Sequence, residues 1–328
     1  MASLLVLGGT SFVGRHIVDS ALAAGHDVTI FNRGKTNPDL FPGVERLAGD
    51  RDTGDYAALA GRGWDACIDV NAYFPHQVRA VAEVVGESVG HYTFISTVSV
   101  YQPSPTPIDE SAPLLAVGPG EGATEITGET YGPLKVLCEQ TARERFASVT
   151  VVRPGIVAGP HDPTGRFTAW VRRMTRPGPV LASRPDGPVQ VVHARDLADV
   201  TVRATEQTLA ETFNAVGPTS EGVTMLDVVE TCAASAGVAA PDVVWVDESF
   251  IAAHEVPLPL FLPSSAGSDG LFRASCRRAE GMGLVNRPLL ETARDTLSWV
   301  QDPEQVCAHV ELLAADREAE LLATWAAR

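Results

Sequence analysis

The chain has 328 residues, 45% of them hydrophobic and 20% charged, with a formal net charge of −16. That composition fits one large globular domain or two modest ones, and so acidic a surface repels nucleic-acid phosphates, which makes nucleic acid an improbable partner. No apolar run reaches the roughly 18 residues a membrane-spanning helix needs. The five cysteines (Cys67, Cys138, Cys232, Cys276 and Cys307) contain no C-x-x-C pair, and the apolar stretch before Gly8 is too short for a signal peptide and lacks a basic leader. A cytoplasmic protein with reduced thiols and no metal is therefore expected.

Residues 3–7 read as a short apolar strand, and 12–24 as a helix with Val13, Ile17, Ala21 and Leu22 on one face. Gly25-His26 makes a turn. Strands are predicted at 28–31, 44–47 and 66–70, a helix across 78–85, a strand at 92–96, a helix at 131–146 and a strand at 149–152. Strands separated by helices of this length imply parallel crossovers, and near-continuous apolar strands imply a sheet covered on both faces. The expected fold class is α/β, a doubly wound parallel Rossmann sheet with a smaller C-terminal substrate lobe. Residues 1–159 are expected to form the dinucleotide-binding domain. Residues 189–216 should return to the sheet as a strand at 189–192, a helix over 196–206 and a strand at 213–216. The smaller lobe takes 160–188 and 217–328. Its last segment, 304–328, reads as a helix whose stripe of Val306, Val310, Leu313, Leu321 and Trp325 is a packing face.

The first strand-to-helix turn reads Gly8-Gly9-Thr10-Ser11-Phe12-Val13-Gly14. Gly8 and Gly14 hold the outer positions of a Rossmann glycine pattern, and Ser11 stands where the middle glycine is usual. Such a loop permits a tight turn and close backbone approach to a pyrophosphate, which the following helix N-terminus attracts. The second strand ends Asn32-Arg33-Gly34-Lys35, with no acid to hold a ribose 2′-hydroxyl. Arg33 is either simply exposed or a holder of a 2′-phosphate. The second reading favours NADP(H) over NAD(H).

Between positions 166 and 184 lie five arginines (Arg166, Arg172, Arg173, Arg176 and Arg184) and no acid before Asp186. They form either a solvated helix face or a clamp for an anionic group on a small-molecule substrate. There is no H-E-x-x-H among the eight histidines and no G-x-S-x-G elbow, so zinc hydrolysis and serine hydrolase chemistry find no support.

Four further segments carry a family likeness: Gly49-Asp50-Arg51 after the third strand, Phe94 to Tyr101 with Thr97 four residues before Tyr101, Tyr131-Gly132-Pro133-Leu134-Lys135, and His193-Ala194-Arg195-Asp196-Leu197-Ala198. In this order after a glycine loop, they make the chain resemble the extended short-chain dehydrogenases/reductases, the NAD-dependent epimerase/dehydratases. The resemblance implies Thr97, Tyr131 and Lys135 as catalytic residues. It also implies cofactor contacts from Gly8, Thr10, Ser11, Phe12, Val13, Gly14, Asn32, Arg33, Asp50, Arg51, Asn71 and Lys135, with Arg166, Arg173 and His193 on the substrate. Lys135 lies four residues after Tyr131, on the same helix face. Its charge would favour the Tyr131 phenolate, and Tyr131 would then move a proton while a hydride moves to or from the nicotinamide. Thr97 would hydrogen-bond the same substrate oxygen. Reductase and epimerase are both open, as is a sugar or nucleotide-sugar substrate, and relatives commonly form homodimers. Thr97 and Tyr131 are 34 residues apart, longer than usual, and the Pro- and Gly-rich stretch between them is expected to loop over the active site. Val98 and Ser99 replace the acidic pair of the 4,6-dehydratases, which discounts that reaction. The opening Gly-Gly-Thr-x-Phe-x-Gly-Arg also resembles an atypical subgroup containing plant chloroplast RNA-binding proteins. A non-redox RNA- or dinucleotide-binding scaffold is therefore the alternative.

Overall fold

The computed structural model describes residues 1–218, 222–302 and 312–328. In chain order the elements are β1 (Ser3–Leu7), α1 (Phe12–Ala23), β2 (Asp27–Asn32), β3 (Glu45–Ala48), β4 (Trp64–Asp69), α2 (Pro75–Val85), β5 (Val89–Ile95), α3 (Tyr131–Arg145), β6 (Val149–Pro154), β7 (Ile156–Ala158) and α4 (Arg166–Met174). They continue with β8 (Val180–Ser183), β9 (Val191–His193), α5 (Ala194–Glu206), β10 (Thr212–Ala215), α6 (Met225–Ser235), β11 (Val243–Val246), α7 (Glu248–Ala253), α8 (Arg277–Gly281), α9 (Leu289–Gln301) and α10 (Ala315–Ala326).

Seven strands form one sheet in the order β10-β6-β5-β4-β1-β2-β3, with every pairing parallel. Leu4 to Leu7 are at most 1% exposed, because helices cover both faces of the sheet. On one face Leu4 and Val6 pack with Ile17, Val18 and Ala21 of α1 and with Leu197 and Val200 of α5. On the other, Leu5 and Leu7 pack with Val78 and Val81 of α2 and with Cys138 and Ala142 of α3. Each leucine, isoleucine and valine among them contributes about 1.5–3 kcal/mol by burial. Strand order reverses between β1 and β4, which opens a crevice at the carboxyl ends of the strands.

The remaining elements have their own core around Phe167, Trp170, Leu181, Val228, Phe250 and Leu321. Its edges are small parallel pairs, β8 with β11 and β7 with β9. The segment predicted as a strand at 189–192 therefore does not rejoin the large sheet. It pairs with β7, and only β10 returns. The buried face of α1 also differs from its expected stripe. Leu22 is 38% exposed, while His16 and Val18 are buried instead. Of the predicted terminal stripe, Val306 and Val310 lie outside the described residues, whereas Leu321 is buried and Trp325 packs edge-on against Phe250.

Candidate active site

A cleft of about 1090 Å³ opens at the carboxyl ends of β1, β2, β3 and β4. Its walls include Gly8, Gly9, Thr10 and Ser11, then Asn32 and Arg33, then Asp50 and Arg51, and Asn71 and Tyr73. Gly8 and Gly9 turn with φ of +113° and +87°, which glycine adopts at no steric cost. A Cβ on Gly14 would stand 2.7 Å from the Gly9 backbone nitrogen, so the loop and helix pack too closely for any side chain there. Gly9, which the three-glycine spacing passes over, is thus as much a part of the cradle as Gly8. Phe12, Val13 and Gly14 sit in the first turn of α1, whose N–H groups have no intrahelical acceptor. A diphosphate fits such a cradle.

Asn32 fixes the loop from the end of β2. Its Nδ2 donates to the Gly8 carbonyl (3.2 Å) and to Thr10 Oγ1 (3.1 Å), and its Oδ1 accepts from the Gly34 N–H. It is thereby a brace for the loop, with its side-chain atoms already engaged. Arg33 projects into the cleft, half-exposed.

Arg51 does more within the fold than its expected role implies. It is 8% exposed and holds the fully buried Asp69 with two bonds of 2.6 and 2.8 Å, while donating to Asn71 Oδ1 at 2.8 Å. Asp69 also accepts from the Tyr92 hydroxyl and from the N–H groups of Asn71 and Ala72. Burial pushes the Asp69 carboxyl up, but the Arg51 and Tyr92 contacts outweigh it, and the net shift is below its ordinary value. This network locks the β4 end, and Asn71 with it, against the cleft.

Thr97 and Tyr131 lie beside the cleft, and Lys135 lies under the Tyr73 ring of its wall. Thr97 lies two residues past β5 and caps the short turn that follows, its Oγ1 accepting from the Ser99 N–H at 3.1 Å. Tyr131 opens α3. The next residue is glycine because a Cβ on Gly132 would run into the Ser99 carbonyl oxygen. That close approach brings the Tyr131 hydroxyl near Thr97, close enough for the two to interact. Burial raises the Tyr131 phenol; the Thr97 hydrogen bond and the charge of Arg166 pull it back, and the net shift is upward. The Tyr73 ring lies 6.4 Å from the Tyr131 ring and connects this pair to the cleft wall.

Lys135 is 2% exposed. Its Nζ donates to the carbonyls of Ala72 (3.0 Å) and Ile95 (2.6 Å) and sits over the Phe94 ring. Burial brings it down to about 8, against the opposing pull of Cys138, Asp69 and Glu139. It ties β4, β5 and α3 together under the site.

Of the five arginines, three are structural. Arg173 is 4% exposed and pairs with Glu318 of α10 at 2.7 Å while donating to the carbonyls of Arg176, Gly178 and Pro179. Arg176 joins the same carboxylate, and Arg184 pairs with Asp269. The expected substrate contact from Arg173 is thus corrected: its charge is spent inside the smaller lobe. His193 is corrected likewise. It is 2% exposed, lies under Gly159 and caps α5 by accepting from the Arg195 N–H. Arg166 and Arg172 have no acidic partner among the described residues, and Arg166 is the cation whose field reaches Tyr131.

The long connection after Tyr101 first packs against the smaller lobe. Gly270 N–H donates to the Ser104 carbonyl, and Ser275 N–H to the Ile108 carbonyl. It then crosses back, and Ala123, Thr124, Glu125 and Ile126 line the cleft opposite the glycine loop. Among the described residues no group of acids, histidines and cysteines could hold a metal, and no helix is long and apolar enough to cross a membrane.

A parallel seven-stranded sheet with a glycine cradle at its switch point defines an α/β protein of Rossmann type. Residues 4–215 match the model of the NAD dependent epimerase/dehydratase family, and the chain belongs to that family. It is 26% identical over 263 residues to the chloroplast stem-loop binding protein of 41 kDa b of Arabidopsis thaliana, a match covering 74% of this chain and 65% of that protein. Its fold is that of UDP-glucose 4-epimerase from Thermus thermophilus, solved with NAD (TM-score 0.64, 19% identity, 92% of this chain and 99% of that one). It is likewise similar to WbmH of Bordetella bronchiseptica, solved with NAD+ (TM-score 0.66, 15% identity, 93% of this chain and 100% of that one).

Proposed function

We propose that this chain is an NAD(P)-dependent oxidoreductase or epimerase acting on a secondary alcohol or ketone in the cytoplasm. The observation that carries this reading is the convergence of Thr97 and Tyr131 beside the glycine-walled cleft, across 34 residues of sequence. When bound, the nicotinamide dinucleotide supplies the hydride acceptor or donor. Gly8, Gly9 and the first turn of α1 would hold its diphosphate, Asp50 and Arg51 would face its adenosine end, and Arg33 favours NADP(H). Thr97 orients the substrate oxygen, and the Tyr131 hydroxyl gives that oxygen a proton or takes one from it. Burial holds the phenol above its ordinary value, which favours the proton-donating direction. Lys135 fixes the strand ends that carry Ala72 and Ile95. Arg166 is free to meet an anionic group on the substrate, a carboxylate or the phosphate of a nucleotide-sugar. Occurrence as a homodimer belongs to the same reading.

The test is a screen of ketones with NADPH and NADH, read at the absorbance of the reduced nicotinamide, with Tyr131→Phe beside the wild type. Turnover by the wild type and its loss in Tyr131→Phe support the proposal; undiminished turnover in the variant removes Tyr131 from the chemistry. The likeness to a stem-loop binding protein favours a second reading, a scaffold for RNA. Submicromolar binding of an RNA stem-loop that survives moderate salt would support it, against the expectation from a net charge of −16.

A further inference from the structure

The corner of the cleft between the ends of β2 and β3 holds a second charge beside Arg33. Arg33 Nη1 lies 3.6 Å from Asp52 Oδ2, the two side chains are 51% and 67% exposed, and both line the cleft. The partners are not equally free. Asp52 Oδ1 accepts from Gln77 Nε2 at 3.1 Å. Gln77 is 4% exposed, and its own Oε1 accepts from the N–H groups of Tyr73 (3.0 Å) and Phe74 (3.3 Å) at the start of α2. A buried side chain, itself anchored to backbone, thus tethers the carboxylate. Arg33 has no other side-chain partner among the described residues, and its long side chain can move.

The end of β2 is where a Rossmann site meets the adenosine ribose: an acid there holds the 2′-hydroxyl, and an arginine nearby accommodates a 2′-phosphate. Here both signs occupy one corner. A 2′-phosphate drawn to Arg33 must take it from Asp52 and then sit close to a carboxylate that the Gln77 hydrogen bond holds in that corner. Like charges so placed repel.

We propose that Asp52 is a cofactor-specificity residue, whose tethered carboxylate opposes the 2′-phosphate that Arg33 attracts and so holds the preference for NADP(H) below what the arginine alone would give. This rests on the dinucleotide-binding reading above. Both side chains are half-exposed or more, so solvent and salt screen the effect. A change of about tenfold in dissociation constant is expected, the equivalent of about 1.4 kcal/mol.

The experiment is a fluorescence titration of NADPH and of NADH into wild type and Asp52→Asn, at low salt and at high salt. Asparagine keeps the volume and an acceptor for Gln77 and removes only the charge. The expected result is NADPH binding about tenfold tighter in the variant, NADH changed less than about twofold, and the gain shrinking at high salt. Asp52→Ser should move NADPH in the same direction, which guards against a local effect of asparagine. NADPH affinity unchanged or weakened in a variant that binds NADH like the wild type overturns the assignment of Asp52 while leaving the cleft a dinucleotide site. Failure of folded wild type to bind either cofactor overturns both.

Discussion

Asp69→Asn tests whether the Arg51–Asp69 pair braces the cleft floor. The Asp69 side chain is fully buried and that of Arg51 7% exposed, so solvent cannot replace what the mutation removes. Asparagine matches the volume, but its single oxygen can accept from Tyr92 or from the Asn71 and Ala72 N–H groups and not from both, and it leaves the Arg51 guanidinium buried without its counter-charge. Breaking a buried pair from one side costs about 3–5 kcal/mol, a large share of the ~5–15 kcal/mol that keeps a domain folded. Urea denaturation followed by circular dichroism should therefore show a loss of about 3 kcal/mol or more, with a lower melting temperature. Asp69→Leu combined with Arg51→Met should recover part of that loss, because paired apolar replacements remove both charges. Recovery should stay incomplete, since Tyr92 and two N–H groups still lose their acceptor. A loss below about 1 kcal/mol in Asp69→Asn, the range of an exposed pair, would refute this account of the floor.

Other expectations follow from the same geometry. Gly132→Ala should push α3 off the Ser99 carbonyl, so that turnover falls at least about tenfold while cofactor titrations stay near wild type, as misplacing a reacting group predicts. Arg173→Met should lower stability by about 1–3 kcal/mol without changing cofactor affinity, because the buried Glu318 keeps Arg176 while the carbonyls of Arg176, Gly178 and Pro179 lose their donor; thermal melts and titrations separate the two. Acid should destabilise the protein in two windows. His91 is drawn down to about 4 by burial, so the unfolded chain takes up its proton first as pH falls below the ordinary 6.5, and stability drops from there toward 4. Asp69 titrates below its ordinary 3.8 when folded, so its contribution is complete above that pH and is lost as pH falls further. Denaturation midpoints measured from pH 7 to pH 3 should show both, and His91→Gln should reduce the upper slope in part, since burial also draws His161 down to about 4 and His193 to about 3.

The parallel sheet was legible because its strands are buried on both faces: Leu4 to Leu7 and Ile68 read as apolar runs with helices between them. The turn of the glycine loop and the helix that begins at Tyr131 and carries Lys135 were legible because local spacing fixes them. Arg173 and His193 were misread because their partners, Glu318 and Arg195, are set by tertiary packing and capping that a run of cations or a lone histidine does not reveal. The segment at 189–192 has the apolar character of a central strand, yet it joins β7, since burial alone does not choose a pairing partner. Gly132, Asp52 and residues 123–126 went unnoticed. A close backbone approach, a tethered carboxylate and a returning loop leave no periodic trace, although the doubled acids of Asp50-Arg51-Asp52 were a signal that could have been followed.

The most direct test of the central claim is an isothermal titration of NADPH and NADH into cofactor-stripped protein, with Gly14→Ala as control. The account predicts saturable binding of at least one cofactor with one site per chain. It predicts loss of that binding in Gly14→Ala, whose Cβ would stand 2.7 Å from the Gly9 nitrogen. A folded wild type that binds neither cofactor, or a Gly14→Ala protein that binds as the wild type does, would contradict it.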